Sequence, residues 1–450
     1  KLMKNNIKKL HNHQLSSRAK VILVIEEILN GKSLSELLDP LLESTEMSSR
    51  GFVHELLLGT LRQWWALSRI SESLIENPVT DQGVQAAINI GLYQLIYMNI
   101  PEYAAINDTV EALKQLGKEY GTGLVNAILR KTQKSKTKFT KKVNKNHSLP
   151  NWLAKQLKQD WGEYYDELGR TLRFAAPIFL RVNTKFSDNV SYCQILDEHH
   201  IQHSLVSLGY NQAQAVRLDG GVRIGELPYF DEGWVSVQDA HAQLAGFLLA
   251  PTLQAQGSHQ AVLDMCCAPG GKTTHLLEMF HMKHLTAVDS ESARLKRMHE
   301  NISRLKLDTK DISVVHADGT SWRSDRCFDV ILLDAPCTAT GVLRRHPDIG
   351  LLRQEQDIAT TVNLQRSILD NLWSRLKVGG VLLYVTCSIL KAENERQIID
   401  FLRANDDANA IPFDLSLPHQ IKQQVGYQCL PLDTKGGDGF YYALLTKTAK

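Results

Sequence analysis

"VLDMCCAPGGKTTH", residues 262 to 275, runs from a strand-like apolar segment through two cysteines and a Pro-Gly-Gly turn into a segment of helical character. A strand that feeds a glycine-rich turn and then a helix is the opening of a βαβ unit. The chain beyond keeps that rhythm. "LTAVD" (285 to 289), "ISVVHA" (312 to 317), "DVILLD" (329 to 334) and "VLLYVT" (381 to 386) are short apolar runs separated by stretches of helical length. Apolar strands alternating with helices predict a parallel sheet covered on both faces, with ligands beyond the carboxyl ends of the strands.

Two chemistries compete for the glycine-rich turn. A phosphate-binding loop needs GxxxxGK[ST], and Gly271, Lys272 and Thr273 supply its second half. Its first glycine would stand where the chain has Cys266, and Pro269 removes one N–H from the cradle. The other reading is a nucleoside-cofactor turn. Gly270 and Gly271 let the backbone approach a ligand, and the helix N-terminus favours a carboxylate. Asp289 closes the next strand, near the spacing of about 20 residues at which an acid can take ribose hydroxyls. Asp318 follows the third strand and Asp334 ends the fourth, while Asp264 lies in the first. So acidic an edge suits a ligand with ribose, adenine and an amino-acid tail better than one with a pyrophosphate. S-adenosylmethionine is that ligand.

Working outward, "LLDAPCTATG" (332 to 341) and "LLYVTCSIL" (382 to 390) each carry an apolar strand into a cysteine, Cys337 and Cys387. The seven cysteines form no CxxC pair, which argues against a disulfide framework and a thiolate metal site and predicts a reducing cytoplasmic setting. Free cysteines commonly serve as small buried hydrophobes. A position just past the strand ends points instead to chemistry. Carbon 5 of a pyrimidine is too electron-poor to capture a methyl group unaided. A thiolate adding to carbon 6 makes carbon 5 nucleophilic, and elimination later frees the thiolate. One cysteine to attack and a second group beside the departing bond have distinct tasks, with Asp334 placed to hydrogen-bond the base. The residues alone leave open which cysteine attacks.

At 450 residues, 43% hydrophobic and 22% charged, the chain has the composition of a soluble globular protein of two or three domains. "VILVIEEIL" (21 to 29) is interrupted by Glu26 and Glu27, and no run reaches the roughly 18 apolar residues of a membrane span. No export signal is evident. The first 130 residues show helical spacing, as in Val21, Val24, Ile25 and Ile28 or Leu57, Leu61, Trp64 and Trp65, with breaks predicted at Pro40, Pro78 and Pro101. "RKTQKSKTKFTKKVNK" (130 to 145) holds eight basic residues and no acidic one. It reads as a linker, either simply solvated or gripping phosphates. Amphipathic helices follow over 149 to 172. Short strands come next at 178 to 184, 203 to 208 and 215 to 219, with a helix near 188 to 199. The expected division is a helical domain at 1–132, a basic linker at 133–148, a small α+β module at 149–235 and an α/β domain at 236–450.

"DMCCAPGGKT", "DAPCTATG" and "YVTCSI", with "GGDGFYYALL" (436 to 445) and "GWVSVQDAHAQLAG" (233 to 246), resemble the RNA cytosine-5 methyltransferases of the NOL/NOP/Sun family. "AINDTVEALK" and "GTGLVNAILRK" are similar to the NusB-type RNA-binding domain. Together these resemblances cover nearly the whole chain. They imply an all-α NusB-like bundle, a small α+β module and a Rossmann-like methyltransferase domain. The implied reaction carries the methyl of S-adenosylmethionine to carbon 5 of a cytosine in small-subunit (16S) ribosomal RNA. In residue terms, the resemblance makes Cys387 the nucleophile, Cys337 the aid to product release and Asp334 the group that orients and protonates the base. It gives cofactor contacts to Cys266, Cys267, Ala268, Pro269, Gly270, Gly271, Lys272, Asp289, Asp318 and Asp334. RNA phosphates are expected at Arg344 and Arg345 of "GVLRRHPDIG" and at Lys134, Lys136, Lys138, Lys141 and Lys142. Lys391 departs from the family, where proline is frequent. A monomer with no metal and no membrane is expected. Two other readings stand beside this one. A non-enzymatic RNA-binding protein with a relic α/β half would not need the full set of acids and cysteines, and an N- or O-directed methyltransferase would not need Cys387.

Overall fold

The computed structural model describes residues 10, 12, 14–145, 147–255, 257–307 and 309–449. It divides into two compact units, Lys1–Ala175 with Leu343–Glu355, and Ala176–Val342 with Gln356–Lys450.

The first unit is helical. Its central helix, Gln82–Tyr97, opens on Asp81, whose side chain accepts from the Val84 N–H at 2.8 Å. Such a cap is worth about 1 kcal/mol. Nearly every side chain of this helix is buried, so it reads as apolar all round. The polar exceptions are satisfied: Asn89 donates to Ser68 Oγ at 2.9 Å and Gln94 to Thr109 Oγ1 at 3.0 Å. Helices Ser17–Leu29, Arg50–Arg62, Glu102–Gln115 and Thr122–Lys134 pack around it.

Two sequence expectations change here. Pro40 does not break a helix but sits inside Leu34–Glu43. The stretch read as a basic linker is helix as well, Lys136–Lys145, continuing from Thr122–Lys134. Phe139 and Val143, four residues apart, turn into the unit's core, while Lys134, Lys138, Lys141 and Lys142 remain exposed. Lys136 is half-buried and pairs with Glu102 at 3.1 Å.

Segment 343–355 completes this unit. The Asp348 carboxylate accepts from the Leu34 N–H at 2.8 Å, and the Trp65 indole donates to the Gly350 carbonyl at 3.1 Å. Leu351 and Leu352 pack on the helical core.

The second unit holds two sheets. Strands β1 (Ile178–Val182), β2 (His203–Ser207), β3 (Gln214–Leu218) and β4 (Val235–Val237) form an antiparallel sheet in the order β2-β3-β1-β4. Helix Asn189–Glu198, capped by Asp188, accompanies it. The larger sheet contains β5 (Ala261–Met265), β6 (His284–Asp289), β7 (Ile312–His316), β8 (Phe328–Asp334), β9 (Leu376–Thr386), β10 (Ala408–Ile411), β11 (Gln420–Lys422), β12 (Tyr427–Cys429) and β13 (Phe440–Lys447). Its order is β11-β12-β13-β9-β8-β5-β6-β7, with β10 also paired to β13. Strands β5 to β9 are parallel, and β13 runs antiparallel to β9. From β5 the chain winds outward through β6 and β7, then returns to β8 on the other side. The turns after β5 and β8 therefore diverge at the carboxyl edge, where a crevice for a ligand forms. Asp264 stands level with Leu332 and Asp334 with Val385, so both cysteine turns leave the same edge.

Candidate active site

The turn after β5 is held by backbone geometry. Gly270 has φ +95°, and a Cβ there would stand 2.7 Å from the Met298 side chain. Only glycine meets both demands. Helix Gly271–Met279 starts directly after it. Asp289, at the end of β6, is buried, and its two oxygens accept from the N–H groups of Ala268 and Glu291, each at 2.9 Å. The sequence pattern assigns this acid to a ribose. In the structure it also fixes the turn, using part of its accepting capacity.

Cys266 is half-buried and Cys267 buried with its sulfur 3.6 Å from that of Met298. Burial, reinforced by the neighbouring carboxylates, raises both thiols well above the ordinary range. Asp264, fully buried, takes the Thr273 hydroxyl at 2.5 Å on one oxygen; the other has no partner among the described residues. Burial lifts this carboxyl to about 7 against the partial relief of the Thr273 bond. Asp318 is exposed and closes its own turn by accepting from the Thr320 N–H and hydroxyl.

Lys272 links the two sides of the crevice. Its ammonium lies 2.7 Å from Asp334 Oδ2 and 5.3 Å from the centre of the Phe440 ring. Burial opposes its charge, but Asp334 foremost, then Cys387 and Asp264, more than restore it, and the lysine is raised. The Asp334 side chain remains 30% exposed, open to a ligand in a way that Asp264 is not.

The two cysteines separated in sequence meet in space. Cys337, past β8, and Cys387, past β9, stand with their sulfurs 3.4 Å apart, both half-buried. The hydrogen bond with Cys387 and burial hold the Cys337 thiol well above the ordinary range, so Cys337 retains its proton. Behind them lies a group that the sequence pattern does not reveal. Glu393, fully buried, accepts from the Thr338 N–H and hydroxyl, each at 2.7 Å, and from the Ser388 hydroxyl. Asn394 accepts from Thr386 at 2.5 Å and donates to the Ser388 carbonyl at 2.9 Å and to Gln428 at 2.7 Å. No local pattern marks a glutamate as buried. The one cue in the sequence is its position a few residues past Cys387.

The RNA-contact expectations divide. Arg344 is fully buried, so the structure does not present it at the surface as a phosphate contact; it belongs to the interior, and its carbonyl accepts from Arg62 at 2.8 Å. Arg345 is half-buried. The lysines of Lys136–Lys145 keep an exposed face. Among the described residues no cluster of His, Cys, Asp and Glu could hold a metal, and no helix is long and apolar enough to cross a membrane.

Comparison with known proteins gives matching results along the chain. The family described as 16S rRNA methyltransferase RsmB/F matches residues 250–446, the NusB family residues 15–134, and the ferredoxin-like domain of RsmF/B-like methyltransferases residues 149–225. Ribosomal RNA small subunit methyltransferase B of Pasteurella multocida is 40% identical, covering 96% of this chain and 96% of its own length. Its counterpart in Pseudomonas putida is 40% identical, covering 97% and 99%. Among solved structures, the protein PH0851 superposes with a TM-score of 0.76 at 21% identity, over 96% of this chain and 99% of that one. NSun6 from Pyrococcus horikoshii gives 0.57 at 21%, over 67% and 99%. These two support the fold.

Proposed function

The chain belongs to the RsmB/F family of 16S rRNA methyltransferases, and from that premise we propose that it methylates carbon 5 of a cytosine in small-subunit ribosomal RNA through a transient bond to Cys387. The single observation that carries this reading is the pair of sulfurs 3.4 Å apart at the carboxyl edge of the parallel strands. An enzyme acting on nitrogen or oxygen would have no use for it.

The residues at the β5 turn fit a nucleoside cofactor. A fully buried carboxylate oxygen of Asp264 lacks a partner among the described residues, glycine is required at Gly270, and Asp334 is open. The turn from Cys266 to Lys272, with Asp289 and Asp334, would hold it, and Asp318 lies on the next turn along the same edge. When bound, S-adenosylmethionine supplies the sulfonium methyl. The Cys387 sulfur adds to carbon 6 of the cytosine, and the electron pair of the C5–C6 double bond becomes available at carbon 5. Asp334, its carboxylate fixed by Lys272, would accept from the exocyclic amine of the cytosine and steady the positive charge as ring nitrogen 3 takes a proton from solvent, which it returns on elimination. After transfer, carbon 5 gives up its proton to a base, the C5–C6 double bond reforms, and Cys387 departs as thiolate. The protonated thiol of Cys337 stands beside that leaving sulfur and donates a hydrogen bond to it.

A stacked cytosine is closed to this attack, so the base is taken unpaired or extruded. The exposed lysines of Lys136–Lys145 supply phosphate contacts. Their replacement by alanine at Lys138, Lys141 and Lys142 should reduce the salt slope of RNA binding by up to about 0.9 for each phosphate left without its lysine. An unchanged slope would remove this helix from the interface.

The decisive test is transfer of labelled methyl from S-adenosylmethionine to small-subunit RNA, followed by bisulfite mapping. A new bisulfite-resistant cytosine is expected. Label on a nitrogen or a ribose oxygen would overturn the reading.

A further inference from the structure

The two cysteines sit on separate turns, just past the paired ends of β8 and β9, and the residue after each one reaches a common partner. Thr338 follows Cys337 and gives both its N–H and its hydroxyl to Glu393; Ser388 follows Cys387 and gives its hydroxyl to the same carboxylate. The two turns are also joined directly. Thr340 and Ser388 hydroxyls lie 3.2 Å apart, the Ile389 N–H donates to Thr340 Oγ1 at 3.2 Å, and the Gly341 N–H donates to the Cys387 carbonyl at 2.9 Å. Glu393 is itself held from below, since the Tyr384 hydroxyl of β9 donates to its carbonyl at 2.7 Å. All these groups except the cysteines are buried.

We propose that Glu393 is a positioning residue: one buried carboxylate clamps the turns after β8 and β9 and thereby sets the spacing of the Cys337 and Cys387 sulfurs. Its catalytic consequence rests on the function proposed above. Its geometric content does not. An acid is suited to the task because a carboxylate accepts several strong hydrogen bonds at once, each shorter and stiffer than a neutral one. The clamp acts through the cysteines and does not touch the cytosine.

Diamide, which removes one hydrogen from each of two neighbouring thiols to leave a disulfide, reads the sulfur spacing without RNA or cofactor. The full-length protein, its Glu393→Ala and Glu393→Gln variants and a Thr338→Val/Ser388→Ala double variant would be compared. The Cys337–Cys387 disulfide is expected to form about tenfold more slowly in Glu393→Ala, because a disulfide tolerates little deviation in sulfur placement. The turnover number for RNA methylation should fall about 100-fold, as a displacement on the order of 1 Å does, with both KM values held within about twofold. Glu393→Gln, which keeps one carbonyl acceptor, should lie between. Loss of general stability would instead move both KM values and the amount of folded protein. If Glu393→Ala does not fold, the double variant decides, since it leaves the carboxylate in place and removes both hydroxyls that bind it, together with the Ser388 contact to Thr340. A folded variant that cross-links at the wild-type rate overturns the clamp, whatever its turnover. Slowed cross-linking in a protein that methylates no cytosine would keep the clamp and remove the proposed function.

Discussion

The second unit contains two pairs of cysteines that invite opposite conclusions. Cys266 and Cys267 are adjacent in the chain, yet they serve the β5 turn as packed, protonated thiols among carboxylates. Cys337 and Cys387 lie on different turns, yet their sulfurs touch at 3.4 Å. Adjacency in sequence places two residues on opposite sides of a turn. Adjacency at a sheet edge brings together two side chains that lie fifty residues apart in the chain. Reactive constellations are in this sense properties of strand order.

If that contrast is right, its largest expression is at Cys387. Cys387→Ala should lower methyl transfer by about 10⁴-fold or more, because the covalent route has no substitute. Tritium transfer from labelled cofactor measures this, and turnover within tenfold of wild type would erase the distinction between the pairs. Cys337→Ala should slow multiple turnover by about 100-fold while leaving attack intact, so that protein accumulates on RNA as a slow-migrating species resistant to denaturation. Absence of that species with cofactor present would take the release role from Cys337.

The third effect concerns the acid beneath the first pair. Asp264 in the folded protein is lifted by burial from 3.8 to about 7. A carboxyl raised by folding contributes stability that is complete below its ordinary value and is lost as pH rises through the folded one. Asp264→Asn, which cannot ionise, should therefore match wild type near pH 4 and exceed it at pH 8 by about 2–4 kcal/mol. Thermal unfolding at the two pH values without cofactor checks the sign. The smallest effect is expected at the adjacent pair itself. Cys266→Ala and Cys267→Ala should change the cofactor KM by about threefold to tenfold and leave the turnover number within about twofold. An equal loss of turnover there would leave the two pairs indistinguishable.

Much of the α/β half was legible because its signals are local. Each of β5 to β9 is built around a short apolar stretch, and the glycine-rich turn marks the first crossover. Both cysteine turns were visible as strands ending abruptly. The short strands β10, β11 and β12 were not, since three or four residues carry too little periodicity. Lysines concealed the helix Lys136–Lys145, where two apolar residues four apart suffice to anchor one face. Arg344 read as a surface arginine because charge is ordinarily solvated, and only tertiary structure shows it buried. Glu393 was invisible for the same reason. Its partners lie in two segments that come together only when β8 and β9 pair.

The return of segment 343–355 to the helical unit bears on how such a protein could arise. A domain acquired as a cassette needs a single junction, but here the polypeptide crosses between the units three times. A gene cut after residue 175 would separate this segment from the Leu34 amide and the Trp65 indole that bind it. The segment begins six residues past Cys337, and exchanging the helical part for a relative's would demand exchanging this inner loop as well.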